Sequence, residues 1–342
     1  MQSHKKGKGI DIVFAGDGWD AASIADGSYL DLVKYQSECF FSIEPYRSMR
    51  DYFDVNVTFP LSQQIGVNTM YTYVNNKFGT LHGESSINGC CTSSLLITEA
   101  DKVMEYVAEK APLSGTLSHG LVILVPNSTD YSGNTILGND GTALSICPPS
   151  ENVYPRDTRG TIQHEAGGHG FGKLGDETIT MNAFPKEDVR WKLQEMFWRG
   201  WYQNLSFSGK LNEVPWADFI FDTRYSDYVD VYEGGYGYTR GVYRPEANSC
   251  MNYGVPYYNT PSRLAIWKRI KEYAGEGYTM DEFYAQDTSE WGPLTVTRSQ
   301  AVPQNGQGYA ESNQHVPSRI VDFHKSGMEV RKIREQLRIK NK

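Results

Sequence analysis

Residues 164–177 read His164-Glu165-Ala166-Gly167-Gly168-His169, followed by Gly170-Phe171-Gly172-Lys173-Leu174-Gly175-Asp176-Glu177. The stretch combines two histidines, a carboxylate beside the first of them and an acidic pair downstream. Two neutral imidazoles and a third protein ligand can hold a catalytic zinc ion and leave one position open for water. A glutamate beside a ligand is then placed to accept the proton of that water. The stretch therefore predicts a zinc site at His164 and His169, with Glu165 as the general base.

The spacing of the two histidines departs from the usual helical pattern. That pattern is H-E-x-x-H, with histidines four positions apart, whereas here they are five apart. On an α-helix a spacing of five places side chains roughly 140° apart, against roughly 40° for four. A π-type turn would return His169 to the face of His164, and Gly167 and Gly168 favour such a distortion because they carry no Cβ. The alternative is a glycine-rich turn in which the three side chains are neighbours by chance.

Composition and charge disfavour two kinds of partner. The chain has 342 residues and a net charge of −8, from 33 basic and 41 acidic residues. Nucleic-acid-binding proteins usually carry a basic footprint, so we expect no nucleic acid. No apolar run approaches membrane-spanning length, and residues 1–8 are polar and basic, unlike a signal peptide. The five cysteines show no metal-binding spacing.

Short apolar runs alternate with helical patterns in the first half of the chain, which predicts an α/β (α+β) fold with a mixed sheet. The predicted strands are 10–15, 54–59, 119–126 and 141–147, and the predicted helices are 30–43, 98–111, 156–172, 186–200 and 262–274. We expect 141–147 to be an edge strand, because Pro148 and Pro149 follow it. An edge strand beside the zinc helix could bind an extended peptide substrate. The aromatic set on helix 186–200, including Trp191 and Trp198, is expected to pack inward.

A second motif lies near residue 250, where the chain reads Ser249-Cys250-Met251-Asn252-Tyr253. It resembles the Met-turn of the metzincin metallopeptidases, a tight turn beneath the zinc. More closely, the chain resembles the IgA-peptidase family of bacterial metallopeptidases through 14–19, 44–53, 174–177 and 241–245, a likeness that spans roughly 10–275. The resemblance implies a metzincin-like domain with a mixed twisted sheet, an active-site helix and a Met-turn. It also implies that Tyr253 helps to stabilise the tetrahedral intermediate.

The third zinc ligand is where this sequence departs from the metzincin pattern. Metzincins commonly take it six residues after the second histidine, which here is Gly175 and cannot bind a metal. Asp176 follows directly and is the predicted ligand, with Glu177 as the neighbouring alternative. Thr178 stands where the family often has tyrosine.

Two other functions remain open at this point. The six-residue form H-E-x-x-G-H also resembles the dipeptidyl peptidase III family, a gluzincin exopeptidase whose third ligand is a glutamate on a later helix. Glu187 and Glu195 would be the candidates under that hypothesis. The other alternative is a non-catalytic surface binding protein on a peptidase fold, suggested by the tyrosine-rich segment 223–243.

The predicted organisation is a catalytic domain over 9–275, divided into an upper part of about 9–175 and a lower part of about 176–275. Residues 276–342 form a C-terminal extension, and its basic end is expected to be a solvated helix. The predicted function is zinc-dependent hydrolysis of a protein or peptide substrate. The family resemblance implies a secreted or cell-surface protein acting on immunoglobulin or other secreted proteins.

Overall fold

A computed structural model describes residues 1–69, 71–87, 90–129, 132–252, 255–287 and 316–321 of the chain. The first half of these residues alternates strands and helices around a mixed sheet. The strands of the described residues are β1 Ile10–Asp17, β2 Phe53–Val57, β3 Thr80–Ile87, β4 Cys90–Ile97, β5 Leu121–Pro126, β6 Asn134–Gly138, β7 Ala143–Ile146, β8 Ile179–Met181, β9 Tyr232–Gly235, β10 Gly237–Arg244 and β11 Val316–Val321. The predicted α/β class with a mixed sheet is confirmed.

Helices cover the sheet and continue into the second half of the described chain. They are α1 Ala21–Ala25, α2 Ser28–Phe40, α3 Ala100–Lys110, α4 Thr158–Thr161, a π-helix at Ile162–Phe171, α5 Glu187–Trp198, α6 Ala217–Phe221, α7 Thr260–Tyr273 and α8 Met280–Gln286. Asp157 caps α4 by accepting a hydrogen bond from the Gly160 amide, and Asn259 caps α7 through the Ser262 amide. Among the described helices, none combines the length and the apolar character that a membrane span requires.

The main sheet has the strand order β11-β6-β7-β5-β1-β2. β2, β1, β5 and β7 pair in parallel, β6 runs antiparallel to β7, and β11 runs parallel to β6. Alternate residues of a strand face opposite sides of a sheet. On β1, accordingly, Ile12 and Phe14 join the hydrophobic cluster that contains Phe171 of the π-helix, whereas Val13 joins the cluster that contains Val103 of α3. The π-helix is thus held against one face of the sheet.

The prediction that 141–147 is an edge strand is wrong. β7 lies inside the sheet, between β5 and β6. The prolines follow the strand rather than interrupt it, so they do not remove any of its ladder hydrogen bonds. β6 returns antiparallel to β7 and covers its outer side, and β11 pairs with the far edge of β6 through Val316 opposite Asn134.

The aromatic residues of α5 divide between core and surface, contrary to the prediction that they all pack inward. Met196 is buried and Phe197 packs against the main core. Trp191 and Trp198 are 61% and 70% exposed, and their rings contact each other at the surface. The two tryptophans are seven residues apart, about two helical turns, so they lie on the same face, and that face points to solvent.

Candidate metal centre

The π-helix explains how histidines five residues apart can act together. In a π-helix the backbone hydrogen bonds join residues five apart, so residues with that spacing lie one above the other. The predicted π-type distortion is confirmed, and it extends over the whole of Ile162–Phe171 rather than over a single turn. The His164 and His169 rings lie 4.8 Å apart between centroids and are nearly perpendicular. Both side chains are buried.

Close packing also requires the two glycines inside the π-helix. A Cβ on Gly168 would lie 2.3 Å from the sulfur of Met251, and one on Gly167 would lie 2.4 Å from the hydroxyl of Tyr258. Contacts this short do not occur for real side chains. Met251, which is itself fully buried, therefore lies directly against the helix at the position between the histidines.

The carboxylate of Asp176 contacts both histidines. Its Oδ1 lies 3.1 Å from Nε2 of His164, and its Oδ2 lies 3.4 Å from Nε2 of His169. One donor atom from each of the three residues falls within 4.8 Å of the others, and all three side chains are buried. The structure thus brings together the three residues predicted to bind the metal.

Backbone carbonyls fix which nitrogen of each histidine points to the centre. The Nδ1 of His164 lies 2.9 Å from the carbonyl oxygen of Cys250, and the Nδ1 of His169 lies 2.8 Å from that of Leu174. A carbonyl oxygen can only accept, so each Nδ1 carries the proton and donates it. In the neutral ring the lone pair is then on Nε2, the nitrogen that faces Asp176. This is the usual arrangement of a histidine that binds a metal.

The charges of the three groups are mutually dependent. Burial by itself would lower the pKa of His169, but the facing Asp176 carboxylate outweighs it and raises that pKa to about 9. Burial would raise the pKa of Asp176, yet the two imidazoles hold it below its usual value. The two facing imidazoles thus stabilise the buried Asp176 carboxylate, and a divalent cation would stabilise it in the same way. Two imidazole nitrogens and one carboxylate oxygen are a donor set that suits zinc.

Glu165 is fully buried beside the centre but points toward the sheet. Its Oε2 accepts a hydrogen bond from the hydroxyl of Thr135 on β6, at 2.8 Å. A Cβ on Gly133, just before β6, would lie 2.5 Å from Cγ of Glu165. In the part of the chain that the structure describes, the group of possible metal ligands does not include Glu165. Glu165 therefore lies next to His164 in sequence but is not one of the three converging residues.

The other acidic candidates lie elsewhere. Glu177 points away from the histidines and accepts hydrogen bonds from Asn204, Ser249 and Asn259. Burial raises the pKa of Glu177, and these three hydrogen bonds offset part of that effect. On α5, Glu195 forms a surface salt bridge with Arg199, and Glu187 is exposed.

The turn at 249–252 lies beneath the π-helix. The Ser249 amide donates to Oδ1 of Asn252 at 2.8 Å, and the Met251 amide donates to Oγ of Ser249 at 3.0 Å. Tyr253, the predicted oxyanion-stabilising residue, lies outside the described residues. Sequence reasoning missed Thr135 and the carbonyls of Cys250 and Leu174, because a backbone carbonyl has no residue-type pattern and Thr135 is far from the motif.

Comparison with known proteins gives one family. The family model described as IgA Peptidase M64 matches residues 1–224, which is more than half of the chain and includes the whole of the 164–177 stretch. No curated protein matches the chain.

Proposed function

Because the chain belongs to the IgA Peptidase M64 family, we propose that it is a zinc-dependent endopeptidase. Because the family is one of peptidases, the chain is a hydrolase that acts on a protein or peptide. The observation that carries the finer proposal is the convergence of His164, His169 and Asp176, with Glu165 next to the first histidine in sequence. In this proposal the three converging residues bind zinc and Glu165 is the general base.

The chemistry divides between the metal and the chain. When bound, zinc supplies a Lewis acid that lowers the pKa of water and polarises a carbonyl group. Glu165 takes the proton of the attacking water and passes it to the departing amine. The hydrogen bond from the Thr135 hydroxyl to Oε2 of Glu165 fixes the orientation of that carboxylate. Tyr253 would direct its hydroxyl at the oxygen on which negative charge develops.

We further propose that the catalytic domain is of the metzincin type. The buried position of Met251 against Gly168 supports this, since a methionine-containing turn beneath the metal is what the resemblance implies. Asp176 takes the role of the third ligand, one residue later than the common metzincin position. The family description suggests immunoglobulin or other secreted proteins as substrates, and hence a secreted or cell-surface location.

The competing enzyme hypothesis receives less support from the geometry. A gluzincin of the dipeptidyl peptidase III type needs a third ligand from Glu187 or Glu195. Glu195 is held by Arg199 at the surface of α5, whereas Asp176 already lies within 3.4 Å of both histidines. A non-catalytic binding protein would not need a buried general base, and Glu165 is retained and buried.

The test combines metal content with hydrolysis. Purified protein is analysed for zinc by atomic absorption, and hydrolysis of a denatured, alkylated protein is measured before and after chelation and after zinc is returned. We expect about one zinc per chain and hydrolysis that stops on chelation and returns with zinc. Asp176→Asn should lose both properties, while the matched surface variant Glu195→Gln should keep them. Zinc-independent hydrolysis, or zinc binding that depends on Glu195, would overturn the proposal.

A further inference from the structure

A buried polar cluster lies directly behind the proposed metal centre. We call it the Glu177 cluster, and it consists of Glu177, Asn204, Ser249 and Asn259. Oε1 of Glu177 accepts hydrogen bonds from the side-chain amides of Asn204 at 2.7 Å and Asn259 at 2.5 Å, and Oε2 accepts from the hydroxyl of Ser249 at 2.7 Å. All four side chains are at most 1% exposed.

Backbone groups fix the direction of these hydrogen bonds. Oδ1 of Asn204 accepts from the Gly175 amide at 2.9 Å, and Oδ1 of Asn259 accepts from the Ser262 amide at 3.1 Å. Each side-chain amide must therefore turn its NH2 group toward Glu177. The Ser249 hydroxyl already accepts from the Met251 amide, so its proton is available for Oε2. Glu177 thus accepts three hydrogen bonds, and these fix the position of its carboxylate.

The cluster joins the two structures that place the metal ligands. On one side, Asn204 binds both the amide and the carbonyl of Gly175, the residue before Asp176. On the other side, Ser249 begins the turn in which the Cys250 carbonyl accepts the Nδ1 proton of His164. The Glu177 amide also donates to the carbonyl of Met251 in that turn, at 2.8 Å.

We propose that Glu177 is a positioning residue, which sets Asp176 and the Cys250 carbonyl at a fixed distance so that His164 and Asp176 are aligned before the metal binds. This inference rests on the proposed zinc function. The inference extends that function by giving Glu177, the second acid of the Asp176-Glu177 pair, a role distinct from metal binding. Partners that orient metal ligands typically contribute about 10–100-fold to metal affinity.

The experiment measures zinc affinity by competition with a chromophoric chelator, for protein first stripped of metal. In Glu177→Gln the shape is kept, but the hydrogen bonds from Asn204 and Asn259 lose the negative charge that strengthens them, and the Ser249 hydroxyl must turn its proton away to accept from the new NH2 group. We expect its zinc Kd to rise about 10–100-fold relative to the parent. The matched control is Glu246→Gln. Glu246 is also a buried carboxylate, and it accepts hydrogen bonds from the amide and the hydroxyl of Thr260, the residue after Asn259. Among the described residues it has no hydrogen bond to Gly175, to Asp176 or to the turn at 249–252.

The control separates alignment from general stability. Urea unfolding of both metal-free variants shows whether each is folded under the conditions of the zinc assay, and among folded variants only Glu177→Gln should lose zinc affinity. Parental zinc affinity in Glu177→Gln, or an equal loss in Glu246→Gln, would overturn the inference. If Glu177→Gln does not fold, Ser249→Ala removes one donor, and its zinc Kd should rise about threefold to tenfold. An unchanged Kd in that variant would also overturn the inference. Failure of the parent protein to bind zinc would instead refute the proposed function.

Discussion

Replacing Gly133 with alanine should move the proposed general base without contacting a proposed metal ligand. The added Cβ would lie 2.5 Å from Cγ of Glu165, 2.9 Å from its Oε1 and 3.0 Å from its Cδ, whereas ordinary contact begins at 3.4 Å. Gly133 does not have a left-handed φ, so alanine is compatible with the backbone. Glu165 must therefore retreat by about 0.9 Å, the difference between the shortest contact and ordinary contact.

A displacement of that size has a calculable kinetic effect. Misplacing a catalytic group by about 1 Å can cost on the order of 100-fold in rate. We therefore expect kcat of Gly133→Ala to fall about 100-fold, which corresponds to about 2.7 kcal/mol in activation free energy. Zinc content should remain at the parental value. If the backbone moved in place of Glu165, overpacking would lower the free energy of unfolding by about 1–3 kcal/mol, and urea unfolding measures that.

The assay is steady-state hydrolysis of a fluorogenic peptide by zinc-loaded protein, with Gly277→Ala as the control. Gly277 has no atom within 4 Å of the added Cβ and no left-handed φ, so this variant should keep parental kinetics. Parental kcat in Gly133→Ala, with normal zinc content, would show that the carboxylate of Glu165 does not act where the structure places it.

Three further predictions test other parts of the mechanism. Glu165→Gln keeps the shape of the side chain and removes its basicity, so zinc should stay bound while kcat falls by about two orders of magnitude or more. A parental kcat would show that Glu165 is not the general base. Tyr253→Phe should lower kcat with KM little changed if the hydroxyl acts in the transition state, whereas unchanged kinetics would leave Tyr253 a packing role. Chelation should lower the thermal midpoint and added zinc should restore it, because an ion that binds only the folded chain stabilises it. An identical midpoint with and without zinc would contradict the proposed site.

Local sequence pattern was enough to predict the elements that carry the proposed metal centre. The apolar runs at 10–15 and 119–126 correspond to β1 and β5, and the histidines five residues apart lie in a π-helix. Strand and π-helix could be predicted because each depends mainly on residues that are neighbours in sequence. The position of Asp176 was also predictable, since the chain reaches the histidines again only a few residues after His169.

Contacts between distant segments could not be read in the same way. The place of β7 inside the sheet depends on pairing with β6 and β5, which apolar content does not encode. Glu177 was a possible ligand by sequence, and only its contacts with Asn204, Ser249 and Asn259 show that it points the other way. The two carbonyls that orient the histidines likewise belong to residues whose side-chain identity gives no sign of that role.

X-ray absorption at the zinc edge of the stoichiometrically loaded protein tests the proposed metal centre most directly. We predict one zinc per chain with two imidazole nitrogens at about 2.0–2.1 Å, carboxylate oxygen at about 2.0–2.2 Å and no sulfur at about 2.3 Å. The imidazole signal should fall by half in His169→Ala, and the ion should bind weakly or be absent in Asp176→Ala. A spectrum with sulfur ligands, or one left unchanged by both substitutions, would contradict a centre built from His164, His169 and Asp176.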